Sequence, residues 1–377
     1  MSEQRVAIIA GGRTPFVKAG KDFKDLGPLK LACHTVKGLI ERHAVDPAAL
    51  EALAYGVVVP EPGRPNLARE IVFEAGLPKS IEAQTISSYC ITGLRTLTVI
   101  ADAIARGRIE VGVAGGVDSL SHSSPDTFRE PATGLLMGEH TEITRKAWQI
   151  PRERQDEVAM ASHRNAVAAR DRIAGELLPL RGVGVEHDTG PRPDTSLEAL
   201  ATLKPVFDEN GTVTAGNSSP VTDGASAVLL MSEERARSEG LEPLAFIRAM
   251  EYGAIDPEDG LLMAPAIVVP RLLKRASLKL SDIDLIEIHE AFAAQVLANV
   301  AAWKQGWGWK AAPIGEVDFE RVNVSGSSIA VGHPWSATGG RIVTTLANEM
   351  ARRDASYGLV SICAAGAMAG AFLLERS

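Results

Sequence analysis

Short apolar runs alternate with amphipathic stretches along most of this 377-residue chain, and the order of the alternation occurs twice. Strand-like runs are Val6–Ala10, Leu53–Val59, Ala83–Ser87 and Val111–Ala114, then Ala245–Met250, Leu285–Ile288, Gly358–Ile362 and Gly370–Leu374. Between them, Leu94, Leu97, Ala101 and Ile104 share one face at helical spacing, and so do Ile342, Leu346 and Met350. Such alternation predicts a layered α/β architecture. Residues 91–116 read as helix, Arg-Gly turn, apolar strand and small-residue loop, and residues 337–366 repeat that order. Ala49–Val59 and Asp282–His289 both run from an acidic turn into an apolar strand. We read two similar halves packed together. Residues 119–215 change character, being rich in Arg, Asp, His and Pro, with helical Arg152–Arg172 and loop-like His187–Thr195. The expected division is 1–118 plus 216–240, an inserted loop region 119–215, and 241–377.

A composition of 45% hydrophobic and 23% charged residues is that of a globular protein. The net charge of −8 gives no electrostatic reason to expect nucleic acid or an anionic membrane, so an anionic substrate would need a local basic patch. No apolar run approaches the ~20 residues of a membrane-spanning helix. Met1–Arg5 runs directly into the first strand without room for a signal peptide, and the final Glu-Arg-Ser is not a peroxisomal address. A cytoplasmic enzyme is expected. Cys33, Cys90 and Cys363 are the only cysteines, an odd, sparse set that suits a reducing compartment. Cys33 lies on an amphipathic helical stretch and reads as core. With no C-x-x-C pair and no H-E-x-x-H, no metal site is expected.

Four distant segments carry chemistry: Ser-Ser-Tyr-Cys90-Ile-Thr-Gly, His289-Glu-Ala-Phe-Ala, Gly-His333-Pro-Trp-Ser-Ala-Thr-Gly and Ser-Ile-Cys363-Ala-Ala-Gly. Cys90 follows a strand and precedes a helix, where exposed N–H groups and the helix dipole favour a thiolate. On position alone, a buried structural cysteine is an equal reading. His333 is held between Gly332 and Pro334, and an imidazole there can take a thiol proton. Cys363 ends an apolar strand and opens a small-residue turn.

In this order the four segments resemble the thiolase family, from about residue 5 to the C-terminus. The resemblance implies a five-layered αβαβα fold of two βαβαβαββ halves with an inserted loop domain. It implies Cys90 as acylated nucleophile, His333 as its base, and Cys363 as proton carrier to the α-carbon of the acetyl unit. The backbone N–H groups of Cys90 and Ala365 match the oxyanion donors for the acylated cysteine. His289 stands where relatives most often have Asn; the His-Glu-Ala-Phe version resembles β-subunits of fatty-acid oxidation complexes. With His333 it would hold the thioester oxygen, while Glu290 orients its neighbours. Residues 214–226 match the coenzyme A loop, in which Ser219 would contact the pantetheine arm and Asn217 and Gly216 shape the turn, and Met137 matches an acyl-contacting methionine. Arg and Lys residues of the loop region are candidates for the 3′-phosphate.

Besides His289, the sequence departs from the family pattern in three places. Ser87 and Ser88 replace an Asn before Cys90, and Trp335-Ser336 follows His333 with a bulky indole that would narrow the acyl tunnel. Ala367 and Ala369 replace glycines in the turn after Cys363, which questions its tightness. The implied activity is cleavage of 3-ketoacyl-CoA by CoA, with CoA as substrate and no permanently bound cofactor. Alternatives are an acetyl-CoA acetyltransferase making acetoacetyl-CoA, or a silent acyl-CoA or lipid-binding protein of the same fold. A decarboxylating ketoacyl synthase uses one cysteine, so Cys363 argues against it. A homodimer or homotetramer is implied, with strand Ala83–Ser87 pairing across a two-fold axis; a hydratase–dehydrogenase subunit is the weaker partner.

Overall fold

A computed structural model describes residues 4–180 and 182–376, so Met1–Glu3 and Ser377, used above for targeting, lie outside the described residues. In the first half the order is β1 (Val6–Arg13), β2 (Val17–Lys18), α1 (Pro28–Arg42), β3 (Ala52–Gly56), α2 (Leu67–Glu74), β4 (Glu82–Ile86), α3 (Thr92–Ala105) and β5 (Val111–Ser119). After α4 (Met137–Ala147), α5 (Arg152–Ala169) and α6 (Leu197–Ala201), the chain returns as β6 (Thr222–Ser232) and the short α7 (Glu233–Ser238). In the second half follow β7 (Ala245–Ala254), α8 (Pro265–Ala276), β8 (Leu285–Ile288), α9 (Ala293–Gln305), α10 (Ser328–Val331), α11 (Ala337–Arg353), β9 (Tyr357–Ala364) and β10 (Met368–Glu375).

The strands lie in the order β4-β3-β5-β6-β1-β7-β10-β9-β8, and β1 pairs with β7 where the halves meet. The parallel pairs β3–β4, β3–β5 and β8–β9 are joined through helices, as parallel connections require. Alternation along the strands sorts the core into layers. Val6 and Ile8 of β1, with Phe372 and Leu374 of β10, face a central core built around α3 and α11. Ala7 and Ala10 face the opposite way, toward α1 and α2, while Ala371 and Leu373 face α8 and α9. Helices therefore cover both outer faces and fill the middle: the five-layered αβαβα arrangement.

Both stripes expected in the sequence, Leu94/Leu97/Ala101/Ile104 and Ile342/Leu346/Met350, are buried in that central core. There α3 and α11 touch backbone to backbone: a Cβ on Gly93 would lie 3.0 Å from the Cα of Gly339 and 2.6 Å from the carbonyl oxygen of Ser336. Only glycine permits this approach, and it draws the first turns of both helices, with Cys90 and His333 just before them, to one point.

The structure departs from the sequence reading in three elements. β6 is an eleven-residue, fully buried strand, whereas Thr222–Ser226 had been absorbed into the coenzyme A loop. α5 ends at Ala169, before Arg172. In the second half the strand equivalent to β4 shrinks to an isolated bridge between Ile286 and Val322. Asn323 covers for it: its side-chain Oδ1 accepts from Ile288 N at 2.8 Å, and its Nδ2 donates to Ile288 O at 3.0 Å.

Candidate active site

Cys90 sits in a 3₁₀ turn, Tyr89–Ile91, between edge strand β4 and α3. Tyr89 just before it is left-handed at φ 49°, an uncommon conformation for a non-glycine residue that marks a tight elbow. Thr92 locks the elbow: its Oγ1 accepts from Ser88 N at 2.7 Å and donates to Tyr89 O at 2.6 Å. The hydroxyl after the cysteine thus does local backbone work in the absence of the family's asparagine.

His333 comes from the other half, between α10 and α11. Its Nε2 is 3.1 Å from Cys90 Sγ, and its Nδ1 is 2.6 Å from Thr338 Oγ1, one turn into α11. Its backbone N–H donates to Thr222 Oγ1 at 2.9 Å, which ties the loop to β6. Gly332 is left-handed at φ 114°, with Thr222 packed where a side chain would stand. The following turn is clamped by Asp118 at the end of β5: one carboxylate oxygen accepts from Ser336 N (2.9 Å) and Oγ (2.5 Å), the other from Val58 N and Val59 N.

His289 follows β8, fully buried, its ring centroid 4.1 Å from that of His333. The Cys90 sulfur and one nitrogen from each histidine lie within 4.8 Å of one another. Glu290 turns away from this cluster and accepts from Ser162 Oγ (2.7 Å), Asn323 Nδ2 (2.7 Å) and Ile329 N (3.1 Å), which is the orienting position expected of it.

Cys363 is buried on β9 and lines the same cleft as Cys90 and His333. The turn after it is tight despite its alanines. Gly366 (φ 70°) and Ala367 (φ 53°) are both left-handed, and Gly366 N donates to the buried Glu130 carboxylate at 2.7 Å. An alanine in that region costs about 1–2 kcal/mol, which the β9–β10 pairing and Glu130 offset. Ala369 lies inside β10 opposite Cys363, where no glycine is needed. The turn aims the Ala365 N–H at Cys90 Sγ, beside the N–H of Cys90 itself.

Electrostatics bear on the thiolate expectation at Cys90. Burial pushes the Cys90 thiol up to about 12, although the N–H groups of Ala365 and Cys90 pull the other way; Asp118 adds to the rise. Burial, then the charge of Arg341, lowers His333 to about 3. Cys90 is only half-buried by its exposed surface, so desolvation opposes the pull of the N–H groups and shifts both thiol and imidazole toward their neutral forms. Proton transfer in the pair is then coupled to arrival of an electrophile. Burial also raises the Cys363 thiol, with Cys90 adding to it, so Cys363 rests protonated.

The cleft measures about 270 Å³ and its lining is mostly apolar. Phe128 and Trp335 meet edge to face across it at 5.3 Å, which places the indole in the wall as expected. Met137, at the start of α4, and Ser219 also line it. Asn217 and Gly216 do not. Asn217 is buried, with its amide spent on Thr214 N, Asp156 and Thr212 O, while Gly216 packs on Leu200 and Leu203. Both shape the loop that presents Ser219, whose N–H donates to Ala291 O at 2.9 Å. Residues that sequence reasoning missed are Asp118, Glu130, Thr222, Ser328, Thr338 and Arg341. They act on backbone or on other side chains across the fold, and no local spacing signals them. Among the described residues no helix is long and apolar enough to cross a membrane.

The N-terminal thiolase domain model matches residues 6–135 and 123–234, and the C-terminal thiolase domain model matches residues 241–376. The chain is 38% identical to a 3-ketoacyl-CoA thiolase of Pseudoalteromonas atlantica, over 99% of this chain and 97% of that protein. A 3-ketoacyl-CoA thiolase of Shewanella frigidimarina is likewise 38% identical, with the same coverage. Among solved structures, the Bacillus anthracis acetyl-CoA acetyltransferase superposes with a TM-score of 0.91 at 32% identity, covering 99% of both chains. Human mitochondrial 3-ketoacyl-CoA thiolase gives 0.90 at 30% identity, again over 99% of both. This chain belongs to the thiolase family.

Proposed function

We propose that the protein cleaves 3-ketoacyl-CoA with CoA, giving acetyl-CoA and a shortened acyl-CoA through an acyl-Cys90 intermediate. The single observation that carries this reading is the 3.1 Å contact between Cys90 Sγ and His333 Nε2 inside an apolar cleft that also exposes Cys363. His333 takes the thiol proton as Cys90 attacks the keto carbon. The carbon–carbon bond then breaks, and its electron pair passes into the enolate of acetyl-CoA, whose oxygen is held by His289 and His333. Cys363 gives its proton to the α-carbon. The acyl thioester oxygen on Cys90 is held by the N–H groups of Cys90 and Ala365. CoA then delivers its thiol proton to the Cys363 thiolate and attacks the acyl carbon. Cys90 leaves and recovers its proton from His333. Ser219 and Met137 line the route of the pantetheine arm and acyl group.

Run in reverse, the same steps join two acetyl units, the activity named for the Bacillus anthracis neighbour; mass action sets the direction. Human mitochondrial 3-ketoacyl-CoA thiolase has also been solved in complex with CoA, which supports CoA as substrate here. In this reading residues 119–215 form the loop domain and the enzyme is cytoplasmic. It works as a homodimer or a dimer of dimers, because β4 is a partly exposed edge strand leading directly into Cys90, and pairing across a two-fold axis would cover it. Incubation with acetoacetyl-CoA in the absence of CoA, followed by peptide mass analysis, should find the acetyl group on Cys90; finding it on Cys363 or Cys33 overturns the assignment. A turnover series of 3-ketoacyl-CoAs of increasing length sets the substrate range, and no turnover at any length would leave the silent binding protein as the better reading. Light scattering should give at least twice the 39.9 kDa chain mass.

A further inference from the structure

We infer that Arg341 and Ser328 lock His289 in the tautomer that carries its proton on Nε2, and so make it a permanent hydrogen-bond donor to the reacting oxygen. The inference rests on the role proposed above for His289 and adds the residues that enforce it.

Ser328 Oγ has two partners among the described residues: Arg341 Nη2 at 2.9 Å and His289 Nδ1 at 2.8 Å. A guanidinium only donates, so Arg341 fills one lone pair of the serine oxygen and cannot take its proton. The serine proton then has a single acceptor within reach, His289 Nδ1. Ser328 is fully buried, and the opposite arrangement, with Nδ1–H donating to Oγ, would strand the hydroxyl proton without an acceptor. Nδ1 therefore accepts, and the ring's one proton sits on Nε2.

Nε2 is the nitrogen left free, buried and without a hydrogen-bond partner. An orphaned donor in a dry site is costly unless something is meant to meet it. Its surroundings identify the missing group: the sulfur of Cys90 and a nitrogen of His333 lie within 4.8 Å of a nitrogen of His289. An acceptor bound there, such as an enolate oxygen, satisfies it.

Arg341 is itself firmly placed. It is buried on α11, donates toward Ser327 Oγ at 3.3 and 3.4 Å, and lies 3.7 Å from the buried Glu287 carboxylate on β8. His289 directly follows that same strand, so Glu287, Arg341, Ser328 and His289 form a chain from sheet to helix and back to the site. The guanidinium charge serves a second purpose. With burial and His333, it holds His289 well below its usual range, so the ring stays neutral and the relay is not broken by protonation. Ser328 and Arg341 touch no reacting atom in this scheme; they are positioning residues.

The test reads the tautomer directly. The full-length enzyme, with ¹⁵N-labelled histidine, is examined by NMR correlation of imidazole nitrogens, and the His289 signals are assigned by their loss in H289N. The expected result is a neutral ring with Nε2 protonated and Nδ1 unprotonated. In S328A the ring should populate the Nδ1–H form. The same variant should slow α-proton exchange of acetyl-CoA by about 10- to 100-fold, while acetylation of Cys90 proceeds at the parental rate. S328T, which keeps the hydroxyl, should restore both signals and rate. A wild-type His289 protonated on Nδ1, or an S328A ring unchanged from wild type, overturns the inference. H289A separates the two levels: full turnover in that variant would remove His289 from the proposed mechanism, whatever the tautomer proves to be.

Discussion

The two halves use the same strand ends in opposite ways. In the first, parallel β3 and β5 pair Gly56 with Gly116; in the second, parallel β8 and β9 pair Ile288 with Ser361. At the first pair a side chain would collide with the helix layer: a Cβ on Gly56 would lie 2.1 Å from Thr92, and one on Gly116 2.2 Å from the carbonyl of Ser336. Just beyond it, Asp118 spends both carboxylate oxygens on the backbone and hydroxyl of neighbouring loops. Just beyond the second pair stand His289 and Cys363, one and two residues on, which bring an unpartnered ring nitrogen and a thiol to the site. One half has become a floor that fixes loops, and the other a donor of reactive groups. Cys90 is the exception, a reactive group supplied by the supporting half, and it is paired with a base from the other half. The site therefore exists only where the halves meet.

Cys90 and Cys363 make the sharpest test of that division. Cys90→Ala removes the proposed nucleophile and should reduce thiolytic turnover by on the order of 10⁴-fold or more, with no acetyl group retained on the protein. Cys363→Ala removes the proposed proton carrier, worth about 10²–10⁴-fold in the carbon–carbon step. Transfer of an acetyl group from acetyl-CoA to Cys90 should survive in it, while deuterium exchange at the α-carbon is lost. Exchange at the parental rate in Cys363→Ala would mean that the second half does not supply the proton carrier.

Sequence reasoning singled out Cys90, His289, His333 and Cys363, which the fold brings together, because each is embedded in a distinctive local run, and it reached α3 and α11 because their apolar stripes are long and regular. It failed where a residue's work is done at a distance. β6 begins with Thr222-Asp-Gly-Ala-Ser-Ala, small and polar residues that mimic a loop, yet it is buried because both of its faces are covered by other elements. Asn217 falls in the run matched to the coenzyme A loop, and its three bonds all go to the protein, so it shapes that loop rather than contacting a ligand. The helix N-terminus before α3 favours a thiolate, and only the tertiary structure shows the desolvation that opposes it.

The supporting half can be broken without touching any reactive atom. Gly93→Val places a branched side chain where Ser336 and Gly339 backbone atoms already stand. Neither neighbour is a flexible side-chain tip, so the helices must separate. Overpacking of this kind should cost about 3 kcal/mol or more, visible as a lower denaturation midpoint at unchanged slope. Activity should fall further than stability alone explains, because the same shift pulls His333 from Cys90. A variant with parental stability would show that the α3–α11 contact is looser than described.

Asp118 gives the smallest effect and the finest test of the floor. Burial raises its carboxyl to about 6 from an ordinary 3.8, despite the bonds from Ser336, Val59 and Val58. A carboxyl with a raised folded pKa binds its proton more tightly in the folded than in the unfolded state. Its contribution to stability is then fully present below pH 3.8 and declines as pH rises through about 6. Over that window the loss is at most about 3 kcal/mol. Asp118→Asn should lack this part of the slope, so the difference in stability between the parent and the variant should change steadily between those two pH values and level off above. Asparagine also turns an N–H₂ toward one of the two donor pairs, so Ser336 or the Val58–Val59 backbone loses its acceptor. A moderate loss of turnover is expected with the flattened slope. Equal pH slopes for both proteins would show that the Asp118 carboxyl ionises as readily in the fold as outside it, and that the loop beyond His333 is held by something else.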